Sequence, residues 1–366
     1  MRIAFRVDAS IQIGTGHVMR CLTLADAVRE RGASSTFICR PHDGNLIHVI
    51  RQHGHHAVVL PCLAASSGHL PANPAHAAWL GTDWQTDAQD TREALGEECF
   101  DWLVVDHYAL DQSWEEGLRP YCQNLMVIDD LADRPHECDV LLDQNLGRST
   151  KDYSGLLKPD TTVFIGPQFA LLRPEFAQLR SQSLARRAYQ PELKRLLITM
   201  GGVDKDNVTC QVLKALSESN LPSELKITVV MGPNAPCLPD VKEKAAQMQQ
   251  PSQVLVGVRN MARLMMESDL CIGAAGGTSW ERCCLGLPTL LLVLADNQLS
   301  SAKALERAEA VLALKSEQDI TQIFKKLLSK SATVHLQRIS QAAAAVSDGL
   351  GVQRIVAMIL SEQRHA

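Results

Sequence analysis

Near its start the chain joins a short apolar run, Ile3-Ala4-Phe5, to an amphipathic stretch over residues 18–31 through Gly14-Thr15-Gly16-His17. This reads as a strand that turns into a helix at a pair of glycines, the opening unit of an open α/β sheet. In such sheets ligands bind beyond the carboxyl ends of the strands, where a bare helix N-terminus favours anions. The turn carries a histidine and no lysine, so it is placed for proton transfer rather than for clamping phosphate. His17 is the candidate catalytic residue, and Gly14 and Gly16 let a substrate approach the backbone closely. The competing reading makes His17 a capping or surface histidine.

The pattern recurs. Strand candidates fall at residues 2–8, 35–39, 57–60, 102–106, 125–129 and 140–143, with helical patterns at 18–31, 44–53 and 111–121. Residues 61–74 and 147–159 are rich in Ser, Gly and Pro and read as loops. A second series opens with a strand at 193–200 that ends in Gly201-Gly202, followed by strands at 225–231, 254–256, 270–272, 289–293 and 311–314. Alternation of this kind predicts parallel sheets covered on both faces. A length of 366 residues exceeds one ordinary core. We therefore expect an α/β protein with two Rossmann-like domains facing across a cleft. The expected division is 1–187, 188–345 and a C-terminal segment 346–366 whose helix packs back on the first domain.

Composition narrows the function classes. Aromatic residues make up 4% of the chain and the net charge is −5, with a pI near 6.2, so neither a base-stacking platform nor a basic field for nucleic acid is expected. The longest apolar run, residues 285–295, is broken by Gly286 and Pro288 and is too short to span a bilayer, and no secretory leader is apparent. Eleven scattered cysteines without a C-x-x-C pair read as reduced, buried side chains. A cytoplasmic protein without stable membrane association is the expectation.

Several motifs are candidates for chemistry. Gly14-x-Gly16 would open a dinucleotide fingerprint, but Met19 stands where the third glycine belongs, and no P-loop occurs. No cofactor is therefore expected. Gly276-Gly277-Thr278 follows the strand at 270–272 and would offer backbone amides to a diphosphate, with Glu281 one turn on for a ribose diol. Thr278 and Glu281 also fit a capping box. Asp296-Asn297-Gln298 sits at the carboxyl edge of the second sheet and reads either as a sugar-orienting turn or as an ordinary cap. Asp106-His107-Tyr108 and Asp129-Asp130 end strands in the first half, and each singly fits a turn or cap. His53-Gly54-His55-His56 lacks a partner at metal-ligand spacing and reads as a solvated loop, so no metal site is expected.

The stretch Arg6-x-Asp8-x-Ser10-x-x-Ile13-Gly14-x-Gly16-His17-x-x-Arg20-Cys21-Leu22 resembles the N-terminal signature of the UDP-2,4-diacetamido-2,4,6-trideoxy-β-L-altropyranose hydrolases of pseudaminic acid biosynthesis. Val104-Val105-Asp106-His107-Tyr108, Ile128-Asp129-Asp130, Leu171-Leu172-Arg173-Pro174-Glu175-Phe176, Met200-Gly201-Gly202, Gly276-Gly277-Thr278-Ser279-Trp280-Glu281 and Asn297-Gln298 extend the resemblance, in order, over most of the chain. That family is similar in fold to GT-B glycosyltransferases. The resemblance implies metal-independent hydrolysis of the anomeric C1–O bond with inversion and release of UDP. It puts His17 and Asn297 in catalysis. With the readings above, and fold analogy for Val258, the residues expected against a small-molecule UDP-sugar are Arg6, Asp8, Gly14, Gly16, Tyr108, Gly201, Gly202, Val258, Gly276, Gly277, Thr278, Glu281 and Gln298. A GT-B glycosyltransferase using a UDP-N-acetylated amino sugar is the alternative.

Overall fold

Every strand ladder among the described residues is parallel. The computed structural model describes residues 1–62, 74–97, 99–189, 193–328 and 332–362. The first sheet holds β1 (Arg2–Val7), β2 (Ser34–Cys39), β3 (His56–Val59), β4 (Phe100–Asp106), β5 (Cys122–Ile128), β6 (Val140–Asp143) and β7 (Thr162–Ile165), in the order β3-β2-β1-β4-β5-β6-β7. Helices α1 (Gly16–Arg29), α2 (Ile47–Gln52), α3 (Trp84–Leu95) and α4 (Gln112–Leu118) connect its strands.

Strand periodicity explains why both faces of this sheet are covered. Ile3, Phe5 and Val7 of β1 join Trp102 and Val104 of β4 in one buried cluster, which also takes in Leu22 and Leu24 of α1. The intervening Ala4, Leu103 and Val105 join Trp114 and Leu118 of α4 in a second cluster on the other face. A strand whose odd and even residues are both apolar must be buried twice.

The second sheet holds β8 (Arg195–Thr199), β9 (Lys226–Met231), β10 (Ser252–Val256), β11 (Leu270–Ala274), β12 (Thr289–Leu292) and β13 (Leu312–Ala313), ordered β10-β9-β8-β11-β12-β13. Its helices are α5 (Pro174–Tyr189), α6 (Val208–Ser217), α7 (Leu238–Ala246), α8 (Met261–Glu267), α9 (Thr278–Cys284), α10 (Leu299–Arg307), α11 (Asp319–Leu327) and α12 (Ala332–Val346). The chain ends in α13 (Gly351–Glu362).

Two compact units result, Met1–Leu171 with Val352–Ala366, and Leu172–Gly351. The division falls sixteen residues before the expected one, because α5 belongs wholly to the second unit. The reason is Arg187, which is buried and donates to the backbone oxygens of Leu285, Ser268 and Met265 at 3.0, 2.8 and 2.8 Å. The C-terminal α13 returns to the first unit and buries Val352, Ile355, Val356 and Ile359 in the cluster around Phe5. Most of the loop expected at 61–74 lies outside the described residues. Replacing the fully buried Ile355 with Ala removes a core side chain contributed from the far end of the sequence. The variant is expected to lose about 2–4 kcal/mol of stability, read by urea denaturation.

Candidate active site

The loop between β1 and α1 is shaped by Ser10. Its hydroxyl accepts from the backbone N–H groups of Gln12 and Ile13 at 3.1 and 2.9 Å, and its carbonyl accepts from Gly14 at 2.8 Å. Gly14 turns with φ +82°, in the left-handed region that favours glycine. A Cβ on Gly16 would meet nothing within 4 Å, so that glycine leaves open space over the helix start. Thr15 makes no side-chain cap there.

His17 then sits in the first turn of α1, facing the end of β4. Its Nδ1 lies 2.6 Å from Asp106 Oδ1. Arg20, one turn on, donates Nε to Asp106 Oδ2 and Nη2 to Oδ1, both at 2.6 Å, and Nη1 to Asp130 Oδ2 at 2.6 Å. Tyr108 donates its hydroxyl to Asp130 Oδ2 at 3.0 Å and meets the His17 ring edge-on, with centroids 4.7 Å apart. Burial alone would raise the Asp106 carboxyl, but Arg20 and His17 reverse this and hold it well below the usual carboxylate range. Burial, and then Asp130, push the Tyr108 phenol well above its ordinary value, so it stays a donor. A charged Asp106 selects the imidazole tautomer with its proton on Nδ1, which leaves Nε2 as the acceptor.

Of the predicted residues, the structure brings His17, Tyr108 and the Gly14–Gly16 backbone together. Arg6 and Asp8 need correction as substrate contacts. Arg6 has no exposed surface and is enclosed by carboxylates, Asp8 at 2.8 Å and Asp87 of α3 at 2.7 Å. Asp8 also accepts the Arg40 backbone N–H at 2.7 Å. Trp114 Nε1 and the Arg40 guanidinium complete the shell of Asp87. This network lies beneath the His17 loop and supports it, because a buried charge is tolerated only when paired and hydrogen-bonded. The Asp129-Asp130 pair splits as well: Asp129 is buried against Arg134 at 2.9 Å, and only Asp130 reaches the His17 cluster. The 53–56 histidines are not a fully solvated loop, since His55 is buried and shares the Asp26 carboxylate with His53, each at 2.9 Å.

In the second unit the predicted residues fall at the carboxyl ends of strands. Gly201-Gly202 follow β8, Val258 follows β10, Gly276-Gly277 follow β11, and Asn297-Gln298 lie in a 3-10 turn after β12. The Gly202 carbonyl packs so closely on Gly232 that a Cβ there would come within 2.0 Å of it. The capping box expected at Thr278 is absent, because α9 has no side-chain cap. Instead Thr278 Oγ1 accepts from Arg282 at 3.1 Å. Gln298 Oε1 accepts the Leu294 N–H at 3.0 Å, while Asn297 is exposed. The residues that sequence reasoning undervalued are Asp106 and Arg20, since a strand-end aspartate looks like any turn residue until its partners are placed.

Residues 195–353 match the glycosyltransferase family 28 C-terminal domain. That match lies almost wholly in the second unit and spans less than half of the chain. Over 303 residues, 82% of the chain, it is 25% identical to an uncharacterised protein of Methanocaldococcus jannaschii, and the match spans 56% of that protein, a little over half its length. Over 302 residues it is 27% identical to a UDP-2,4-diacetamido-2,4,6-trideoxy-beta-L-altropyranose hydrolase of Campylobacter jejuni, covering 82% of this chain and 95% of that one. The chain is similar in sequence to this hydrolase and has a GT-B-like fold. Among solved structures it is similar in fold to Acinetobacter baumannii MurG, with TM-score 0.64 at 15% identity over 98% of this chain and 99% of that chain.

Within this GT-B-like chain Glu281 gives a stability test. Burial raises its carboxyl to about 7, against the opposing Arg173 guanidinium 3.8 Å away. An unfolded glutamate titrates near 4.3. Between those values the folded chain keeps a proton that the unfolded chain releases, so stability falls as pH rises through the window. Glu281→Gln removes that titration. Its loss of melting temperature between pH 5 and pH 8 is expected to be smaller than that of the unsubstituted protein, and equal losses would refute the assignment.

Proposed function

We propose that the chain hydrolyses UDP-2,4-diacetamido-2,4,6-trideoxy-β-L-altropyranose, releasing UDP and the free sugar. The observation that carries this reading is the Asp106–His17 pair: the imidazole Nδ1 lies 2.6 Å from a fixed carboxylate at an open helix start, and Nε2 has no hydrogen-bond partner among the described residues. The similarity to the Campylobacter jejuni hydrolase supports this choice of substrate. In this reading His17 Nε2 takes a proton from water as the water oxygen bonds to C1. The C1–O bond to the diphosphate breaks with inversion through an oxocarbenium-like transition state, and UDP carries away the bonding pair. Asp106 holds the tautomer and stabilises the imidazolium, while Arg20 fixes Asp106.

The second unit holds UDP in this reading. Backbone amides at Gly276, Gly277 and Thr278, with Gly201 and Gly202, face the diphosphate. Glu281 takes the ribose and the backbone at Val258 the uracil. Asn297 and Gln298 orient the sugar or the diphosphate, and Tyr108 lines the sugar side. The family 28 match favours a second reading, in which an acceptor hydroxyl replaces water.

One assay separates the two. The protein is incubated with the UDP-sugar, with EDTA and without an acceptor, while UDP release and the anomer are followed by NMR. Hydrolysis predicts UDP release and an inverted first anomer; no turnover until an acceptor is added favours the transferase. His17→Ala and Asp106→Asn are each expected to lower kcat by roughly 10²–10⁴-fold. Near-full rate in His17→Ala would remove the assigned base.

A further inference from the structure

Beside His17 lies an aromatic cluster of which the mechanism above uses only Tyr108. Tyr108, in edge contact with His17, is followed outward by Trp79 at 5.8 Å and 29°, and by His76 at 5.4 Å. His76 and Trp79 also touch each other, with centroids 4.3 Å apart. The two rings are held by a 3-10 turn, Ala77–Leu80, in which Ala77 and Leu80 point inward and are buried. Leu80 packs in the same cluster as Trp114 and Leu95. The turn therefore fixes His76 and Trp79 on its outer side, where both are half-buried.

This wall carries no committed charge, and the polar groups on it without a hydrogen-bond partner among the described residues are the Trp79 indole N–H and the His76 ring nitrogens. The Trp79 indole N–H has no acceptor among the described residues, whereas that of Trp114 is taken by Asp87 at 3.1 Å. Burial lowers the His76 imidazole below its ordinary value, so it is uncharged at neutral pH. Nearby cations are committed: Arg20 to Asp106 and Asp130, Arg134 to Asp129 and Asp133. A ligand carrying negative charge finds no free partner in these two arginines. A ligand group with a methyl and an amide carbonyl finds aromatic faces for the first and an indole N–H for the second.

We propose that Trp79, with His76 and Tyr108, is the specificity subsite for an acetamido group of the sugar. The proposal rests on the reading that a UDP-linked N-acetylated amino sugar presents its C1 to His17. The aromatic faces take the acetyl methyl, and Trp79 Nε1 donates to the acetyl carbonyl. Trp79 thereby discriminates acetamido sugars from their hydroxyl counterparts without touching the reacting atoms.

Two measurements on the full chain test this. The first is saturation-transfer NMR with UDP-N-acetylglucosamine, comparing the acetyl methyl with uracil H5 in the unsubstituted protein, Trp79→Ala and Trp79→Phe. The acetyl signal is expected to fall severalfold in Trp79→Ala, to recover in part in Trp79→Phe, and the uracil signal to persist in both. The second is steady-state kinetics on the diacetamido substrate. Here Trp79→Ala is expected to raise KM about tenfold, with kcat and the inhibition constant of UDP little changed. An unchanged acetyl signal, or a loss of acetyl and uracil signals together, would overturn the subsite. So would a fall in kcat with KM unaltered. If the unsubstituted protein releases no UDP but its acetyl signal depends on Trp79, the hydrolase reading fails and the subsite stands.

Discussion

One buried carboxylate organises the candidate site in the first unit of this protein. Asp106 ends β4, the strand next to β1 at the middle of the first sheet, and accepts from His17 and twice from Arg20. Its placement follows from strand register: Val7 pairs with Asp106, so the loop that leaves β1 and the residue that ends β4 emerge side by side. Helix α1 then brings His17 and Arg20, three residues apart and so on one face, onto the same carboxylate. A desolvated aspartate would otherwise protonate. The Arg20 cation keeps it charged, and a charged aspartate is what orients the imidazole.

The contrast between two histidines shows why position decides role. His107 directly follows Asp106, yet its Nδ1 accepts the Ala109 N–H at 3.1 Å and its Nε2 faces Asp8 at 3.4 Å. Its Nδ1 is hydrogen-bonded, its Nε2 faces that carboxylate at ion-pair distance without forming a hydrogen bond, and burial lowers its imidazole below the ordinary value. It is a structural histidine that fastens the β4 loop to the Arg6 network. His17 differs in having one nitrogen tied and the other directed away from the protein's own carboxylates.

Much of this fold was legible because both sheets are buried on two faces, which makes their strands near-continuous apolar runs. Helix α3 and strand β7 were not. The α3 sequence is polar, and its inward face is Asp87 and Thr91 as much as Ala88 and Leu95. Asp87 is buried only because Arg6 and Arg40, 81 and 47 residues away in sequence, bring their guanidinium groups to it. The same long-range pairing misled the reading of Arg6 and Asp8. The resemblance alone put these two residues against the substrate, and nothing local reveals a partner so distant in sequence. The glycine turn at Gly14 was legible because its requirement is local, a left-handed backbone beside a helix start.

The buried network also bears on why the His17 loop is built with so few side-chain anchors of its own. Between Asp8 and His17 the loop is closed by Ser10 and by backbone bonds, including Ile11 N–H to the Asp43 carbonyl at 3.0 Å. Its base is fixed by Asp8, which joins Arg6 of β1 to the Arg40 backbone beyond β2. Rigidity is thus concentrated below the loop, in charges whose mutual pairing makes any displacement costly. The upper part, from Gly14 to Gly16, stays free of bulk. The proposed hydrolysis calls for both features: a fixed imidazole, held from behind by Asp106, and room for a water and a sugar in front of it.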